Sequence, residues 1–284
     1  MRYRMYILYI GILALPLALL PARAKSVDSY VGWKTCVGCH EGYEGAMKDS
    51  MHRSLFVSDK ADPKLGCEAC HGPGAPHMDD PAKITKFKAG EKVDVKAAKA
   101  CLKCHNRSTD TGGFMKSRHA RKGVSCISCH SVHKKGVGEA SLVKKETDLC
   151  ATCHPEKKAQ SMSAYRHPIA EGKVGCTDCH SPHTAGAAAS KTYTKACVKC
   201  HQEKAGPFRY EHEPVVDNCA ECHSPHGAAS ENLLTVSRPA LCLQCHAGDM
   251  RSLASHDITD VNSNKCTTCH KQVHGSNSSR TLSN

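Results

Sequence analysis

Every cysteine in this chain lies in one short pattern, C-x-x-C-H, which limits what the chain can fold around. Ten copies account for all 20 cysteines among the 284 residues. The pattern is the attachment site of c-type haem. Helix positions i, i+3 and i+4 share one face, so two thiols can bond to the haem while the adjacent imidazole reaches the iron. The cysteines are Cys36, Cys39, Cys67, Cys70, Cys101, Cys104, Cys126, Cys129, Cys150, Cys153, Cys176, Cys179, Cys197, Cys200, Cys219, Cys222, Cys242, Cys245, Cys266 and Cys269.

Two other uses of paired cysteines fit the pattern poorly. A disulfide framework does not require a histidine after every second cysteine, and neither do zinc sites built from paired C-x-x-C elements. The sequence therefore predicts ten covalently bound haem c groups.

The histidines divide into two equal sets. Ten end the motifs: His40, His71, His105, His130, His154, His180, His201, His223, His246 and His270. Ten spare histidines lie outside them: His52, His77, His119, His133, His167, His183, His212, His226, His256 and His274. One spare histidine for each haem predicts that two imidazoles ligate every iron.

The spare histidines also define an internal repeat, as motif, histidine, motif, histidine. Five two-haem units follow from it within a cytochrome domain of residues 25–284: 36–77, 101–133, 150–183, 197–226 and 242–274.

Three spare histidines follow a motif by only three residues: His133, His183 and His226. Trans ligands on one iron have Cα atoms about 12 Å apart when metal–nitrogen bonds are about 2 Å, and three residues span at most about 10 Å. These histidines must therefore ligate a haem other than their neighbour's. The other haem of the same unit is the favoured partner, although the sequence alone leaves this open.

Residues 1–24 have the features of a secretory signal peptide. Arg2 and Arg4 precede an apolar stretch, and Ala22 to Ala24 supply small residues for cleavage. The alternative is an uncleaved anchor, but the apolar stretch is shorter than the roughly 20 residues of a spanning helix. An exported, periplasmic chain that begins at Lys25 is expected.

The composition leaves little material for an ordinary hydrophobic core. Leu, Ile, Val and Phe make up about 16% of the residues, below the roughly 20% that is typical of folded chains. The haems must supply the missing apolar surface. The predicted fold is a multihaem cytochrome c in which short α-helices and loops wrap a linear stack of ten covalently bound haems, with little or no β-structure.

Local patterns add three further predictions. Short helices are expected at residues 142–154 and 232–246. The polar tail, residues 275–284, is expected to be disordered. The Lys-rich linker, residues 83–99, is interpreted as a solvated spacer, with a docking surface for a redox partner as the alternative.

The chain is basic, with 39 Lys and Arg against 27 Asp and Glu, or +9 without the signal peptide. Each ferric bis-histidine haem with two ionised propionates carries one negative charge, so ten haems roughly offset this excess. Export, and the lack of a recognisable nucleic-acid-binding signature, argue against a nucleic-acid partner.

Two histidine ligands leave an iron no open position for substrate, and they predict a low reduction potential. The expected role is therefore electron conduction rather than catalysis. A multihaem reductase is the first alternative, although it would need a five-coordinate haem. A subunit of a cytochrome filament is the second, although the ligand count balances within one chain.

The ten motifs in five pairs, the S-P-H segments ending at His183 and His226, and the order of the spare histidines resemble the periplasmic decahaem cytochromes of the MtrA, MtoA and DmsE type. The resemblance implies a nearly linear series of haems inside an outer-membrane β-barrel porin. Periplasmic or inner-membrane c-type cytochromes would donate electrons to this series or accept electrons from it. Some members pass electrons to minerals or an extracellular cytochrome, and others take them from ferrous iron. The chain looks closest to MtoA, so inward transfer of electrons from extracellular Fe(II), with direct oxidation of Fe(II) at the haems as one route, is the preferred expectation.

Overall fold

The computed structural model describes residues 29–56, 64–87, 95–107, 109–138, 140–184, 190–247, 256 and 266–283. All 20 cysteines and all 20 histidines lie within these ranges. The predicted signal peptide, residues 1–24, lies outside them.

The secondary structure consists of short helices joined by turns. The longest described helix has 11 residues, and within the described ranges none has the length and apolar character of a membrane span. The α-helices are Trp33–Val37, Tyr43–Lys48, Cys67–His71, Ala75–Asp79, Val95–His105, Thr109–Gly112, Arg118–Arg121, Cys126–Cys129, Glu146–Ala151, Pro155–Gln160, Cys176–Cys179, Ser190–Cys197, Glu213–Asp217, Ala240–His246 and Cys266–Cys269. The 3₁₀ turns are Arg53–Phe56, Phe114–Lys116, Gln202–Lys204, Cys219–Glu221 and Glu231–Leu233.

Each motif occupies one helical turn. In motifs outside the longer helices, the backbone N–H of the histidine donates to the carbonyl of the first cysteine, as in His130 to Cys126 at 2.9 Å and His270 to Cys266 at 2.8 Å. This is the i to i−4 bond of an α-helix. It places both thiols and the imidazole on one face.

Backbone pairing is limited to isolated bridges in the described residues, which agrees with the expected lack of β-structure. Two bridges have the same role, since His130 pairs with Leu142 and His223 pairs with Leu234. In each case the chain turns back after the motif, the fourth or the eighth along the sequence, and returns alongside the histidine of that motif.

These two turns shift the starts of two predicted helices towards the C-terminus. The helix expected from residue 142 begins at Glu146, because Leu142 exchanges backbone hydrogen bonds with Val137. The helix expected from residue 232 begins at Ala240, because Asn232 lies in a 3₁₀ turn with a positive φ of 55°. A backbone engaged in these turns cannot also form an α-helix.

The polar tail is also unlike the prediction, since residues 275–283 fold back onto the protein. Ser276 is fully buried and exchanges backbone hydrogen bonds of 2.8 Å with Tyr210. Its hydroxyl accepts from the N–H groups of Ser278 and Ser279. The expectation of a disordered tail was wrong, because polar residues of the tail form hydrogen bonds with backbone groups of the protein instead of with water.

The linker is more than a solvated spacer in its described parts. Thr85 contacts His71 through its backbone, and Val95–His105 is one continuous helix that carries the third motif. Residues 88–94 lie outside the described ranges.

The polypeptide buries very little apolar surface. Its accessible surface is 21,428 Å², against about 12,000 Å² for a compact chain of 30.6 kDa. The buried hydrophobic residues in the described ranges are Met47, Phe56, Ala98, Phe114 and Ala228. The described part of the chain therefore has no sizeable side-chain core of its own.

A buried carboxylate organises the first unit. Glu68 lies between the two cysteines of the second motif and is only 2% exposed. It accepts hydrogen bonds from the N–H groups of Val31, Gly32 and Gly74 at 2.7–3.1 Å. Glu68 thus ties the segment before the first motif to the loop after the second.

Candidate haem-binding array

The cysteines show that consecutive motifs are neighbours in space. Within each unit, the first cysteines of the two motifs share a side-chain contact: Cys36 with Cys67, Cys101 with Cys126, Cys150 with Cys176, Cys197 with Cys219 and Cys242 with Cys266. The Cys67 thiol holds the pKa of Cys36 below its usual range, at about 7.

Between units, the second cysteines of neighbouring motifs lie close enough for one thiol to influence the pKa of the other. Burial raises the pKa of the Cys70 thiol, and the nearby Cys104 raises it further. The same relation joins Cys129 to Cys153, Cys179 to Cys200 and Cys222 to Cys245. The ten motifs therefore form one linear series in the order of the sequence, and the corresponding sites are numbered 1 to 10 below.

Every motif histidine faces one spare histidine. The ring centroids of the ten pairs are 5.8–6.3 Å apart. From site 1 to site 10 the pairs are His40 with His77, His71 with His133, His105 with His52, His130 with His183, His154 with His119, His180 with His226, His201 with His167, His223 with His274, His246 with His212 and His270 with His256.

This separation fits an iron between the rings. Two metal–nitrogen bonds of about 2 Å, plus about 1 Å from each nitrogen to its ring centre, add to about 6 Å. In the described residues, no cluster of three or more His, Cys, Asp or Glu side chains could hold a metal ion. Each facing pair of histidines would offer an iron two imidazoles.

The pairing corrects one expectation. The rings of His133, His183 and His226 do avoid the motif beside them, as chain length required. Each faces the second motif of the preceding unit instead of the other motif of its own unit, for example His183 with His130 at 5.9 Å. The other spare histidine of a unit reaches the first motif of the following unit, as His119 does with His154.

Only the ends of the series pair within a unit. The first unit has no predecessor, and its second spare histidine, His77, faces His40. The last unit has no successor, and its first spare histidine, His256, faces His270. Each inner unit therefore exchanges histidines with both neighbours, and the count balances within a single chain.

Backbone carbonyls hold the spare histidines of sites 3, 5, 7 and 9. The Nδ1 atoms of His119, His167 and His212 lie 2.9–3.1 Å from the carbonyl oxygens of Pro182, Pro225 and Val273. His52 bonds in the same way to the backbone of Val132. A carbonyl only accepts, so Nδ1 carries the proton and the lone pair of Nε2 is free for a metal.

In sites 2, 4, 8 and 10 a carbonyl holds the motif histidine instead. The Nδ1 atoms of His71, His130, His223 and His270 lie 2.6–2.8 Å from carbonyl oxygens. The acceptors, in the same order, are Thr85, Ala140, Asn232 and Thr281. The anchored imidazole therefore alternates between motif and spare histidine along the series.

Burial disfavours the charged form of four spare imidazoles. It lowers the pKa of His52, His133, His226 and His274 below the usual value for histidine. A neutral imidazole is the form that binds a metal. By contrast, the buried Nδ1 atoms of His77 and His256 have no hydrogen-bond partner.

A continuous cavity of about 4510 Å³ runs past all ten motifs. Its volume is about 450 Å³ per motif, which falls within the range of about 300–1,000 Å³ for ligand pockets. Motif cysteines and paired histidines from every site contribute to its wall.

The carbonyl anchors are the functional feature that sequence reasoning missed. Their signal was present, since the acceptors of the spare histidines occupy the middle position of the segments Ser181–His183 and Ser224–His226 and of Ser131–His133. A backbone carbonyl is common to all residues, however, so its use becomes visible only in three dimensions.

Comparisons with known proteins agree with this array. A family model described as a doubled CXXCH motif matches residues 118–159, 167–206 and 212–251, and a model of cytochrome c554 and c-prime matches residues 76–131. The chain is similar to an undecahaem cytochrome from the S-layer of Carboxydothermus ferrireducens, with 21% identity over 44% of this chain and 32% of that one at a TM-score of 0.30.

Two curated relatives are closer in sequence. Cytochrome c3 of Maridesulfovibrio salexigens is 30% identical over 36% of this chain and 77% of its own length. The multihaem cytochrome MtrA of Shewanella baltica is 34% identical over 87% of this chain and 79% of its own length. With its doubled motifs and ten covalent haem c positions, the chain is an electron-transfer protein that belongs to the MtrA family of multihaem c-type cytochromes.

Proposed function

We propose that this protein conducts electrons through ten bis-histidine haems while seated in an outer-membrane porin, and that it carries electrons from extracellular Fe(II) into the periplasm. One observation carries the ligation: each motif imidazole faces one spare imidazole at 5.8–6.3 Å. With both axial positions taken, no iron has a position for substrate. Conduction is then the remaining role.

The order of the sites supports a continuous path. Cysteines of successive motifs lie close to one another: Cys101 and Cys126 share a side-chain contact, and Cys153 is near enough to Cys129 to raise the pKa of its thiol. Because each haem is bonded to these cysteines, neighbouring macrocycles are held close together along the whole series. Electron transfer along such a series of haems needs no diffusing electron carrier.

The chain's own residues set the conditions at each site. Haem iron supplies a one-electron Fe(III)/Fe(II) couple. The cysteines would fix the position of the macrocycle, the carbonyl anchors orient one imidazole at a site, and burial lowers the pKa of His52, His133, His226 and His274. Two histidines without methionine favour a low potential.

Family membership and the resemblance to MtoA support the partners and the direction that we propose. We propose an outer-membrane β-barrel porin as the insulating partner, and periplasmic or inner-membrane c-type cytochromes as the electron acceptors. Outward transfer to minerals or to an extracellular cytochrome is the alternative, because histidine ligation does not encode a direction.

A reconstituted system tests both parts of the proposal. The holoprotein and a candidate porin are placed in liposomes that contain a redox dye, with Fe(II) outside in one experiment and a ferric acceptor in another. Dye reduction by Fe(II) that requires both proteins supports inward conduction. Transfer seen only with the ferric acceptor selects the outward direction, and no transfer in either experiment contradicts the conduit.

A variant that lacks one central site provides the matched control. Replacing Cys197 and Cys200 with Ala removes the covalent haem of site 7 and interrupts the series, so dye reduction should fall by at least tenfold while the other nine haems remain. Electron paramagnetic resonance of the intact protein tests the ligation itself, because a substantial high-spin ferric fraction would indicate open iron positions and a reductase.

A further inference from the structure

The ten histidine pairs differ in the angle between their ring planes. In seven sites the planes are 11–25° apart. In sites 3, 5 and 7 the planes cross at 88°, 69° and 60°. No pair has an intermediate angle.

From site 2 to site 8, crossed sites alternate with near-parallel ones. Site 3 lies between sites 2 and 4, with angles of 15° and 21°. Site 5 lies between sites 4 and 6, and site 7 between sites 6 and 8, where the angles are 13° and 14°. The pattern thus follows the two-motif repeat.

Backbone anchors account for the spare ring at each crossed site. The rings of His52, His119 and His167 are each held by a carbonyl from a distant loop. A hydrogen bond at Nδ1 restricts rotation of the imidazole about the axis through the metal-binding nitrogen. Val132, Pro182 and Pro225, which supply the carbonyls, are therefore positioning residues.

The ninth site shows what else contributes to the angle. His212 has the same kind of anchor, from Val273, yet its ring lies 25° from that of His246. The anchor therefore sets the plane of the spare ring, and the orientation of the motif ring determines whether the two planes cross.

We propose that the haems of sites 3, 5 and 7 form a separate electronic class with crossed axial ligands, in which the carbonyls of Val132, Pro182 and Pro225 hold the spare imidazole in place. Parallel imidazole planes interact with one iron dπ orbital and split it from the other, which gives rhombic low-spin ferric spectra. Crossed planes interact with both orbitals alike, which gives strongly axial spectra with a large maximum g value. Crossed planes also stabilise the ferric state less, so these three haems have higher potentials than their neighbours.

This inference rests on the proposed bis-histidine ligation, and one spectrum distinguishes the two. The fully oxidised full-length holoprotein is examined by electron paramagnetic resonance with spin integration. Three tenths of the low-spin intensity in the strongly axial signal supports the proposal. Ten rhombic low-spin haems would overturn it and leave the ligation intact, whereas a large high-spin signal would contradict the ligation.

A matched pair of variants assigns the signal to the chain. Cys150→Ala with Cys153→Ala removes site 5 and should lower the axial intensity by one third, with the rhombic intensity unchanged. Cys176→Ala with Cys179→Ala removes site 6 and should lower only the rhombic intensity. Equal loss of both signals in the two variants would overturn the assignment.

A potentiometric titration of the wild-type protein requires no variant to fold. The axial signal should disappear at higher potential than the rhombic one as the protein is reduced. Loss of the two signals at the same potential, or of the rhombic signal first, would contradict the proposed difference between the two classes.

Discussion

The Nδ1 atom of His119 lies 3.1 Å from the carbonyl oxygen of Pro182. His119 faces His154 in site 5, and Pro182 directly precedes His183, which faces His130 in site 4. One hydrogen bond therefore joins the imidazole of one site to the peptide that carries the imidazole of the site before it. The bonds of His52, His167 and His212 link the other neighbouring units in the same way. Each pair of neighbouring units is therefore joined by one such hydrogen bond.

His183→Met is expected to raise one midpoint potential and leave ten covalent haems in place. His183 is the spare histidine that faces His130, and methionine in place of an axial histidine raises the potential of haem iron. Spectroelectrochemical titration and mass spectrometry of the intact holoprotein measure the two effects. The exposed neighbouring variant Thr184→Ala should titrate like the wild type. An unchanged curve for His183→Met would remove this residue from the ligands.

Glu68→Ala is expected to destabilise the first unit. The substitution leaves the buried N–H groups around Glu68 without an acceptor, and each such group costs about 1–3 kcal/mol. Thermal unfolding of the holoprotein should therefore show a loss of about 3 kcal/mol or more, with earlier proteolysis near residues 29–37. Glu44→Ala is the control, because Glu44 makes only an exposed ion pair with Lys48, worth less than about 1 kcal/mol. Equal stability of the two variants would show that the Glu68 contacts are not stabilising.

Ser276→Ala tests the folded tail. The buried hydroxyl accepts from two backbone N–H groups, so its loss should cost about 1–3 kcal/mol. Hydrogen exchange in residues 275–283 should become faster as the turn loosens. Ser237→Ala removes an exposed hydroxyl and provides the comparison. Rapid exchange of this segment already in the wild type would indicate that the tail does not hold the turn.

Protein produced without haem attachment is expected to be unfolded. The few buried hydrophobic residues of the described chain cannot offset the conformational entropy of ordering it, and folding is coupled to its cofactors as in other small metal-organised domains. Far-ultraviolet circular dichroism should show little helix, and urea should produce no cooperative transition. A cooperative transition in the haem-free chain would mean that the polypeptide has a core of its own.

Much of the site could be predicted because it is local. Cys126, Cys129 and His130 lie within one helical turn, and their spacing alone places them on one face. The short distance between His130 and His133 likewise excluded a shared iron, and the structure agrees. The start of the helix at Glu146 was harder to predict, because it depends on the backbone pairing of Leu142 with Val137. The turn at Ser276 was harder because its backbone partner, Tyr210, is far away in the chain.

The sequence by itself determined how many haems the protein carries, where each is attached and how many imidazoles are available, since these properties depend on residue type and spacing. Only the tertiary structure decided that His133 faces His71 and His183 faces His130 across unit boundaries, which carbonyls hold the rings, and which ring planes cross. The physical reason is that all imidazoles are chemically alike, so a histidine does not specify its partner. Packing of distant loops, through backbone groups common to every residue, makes that choice.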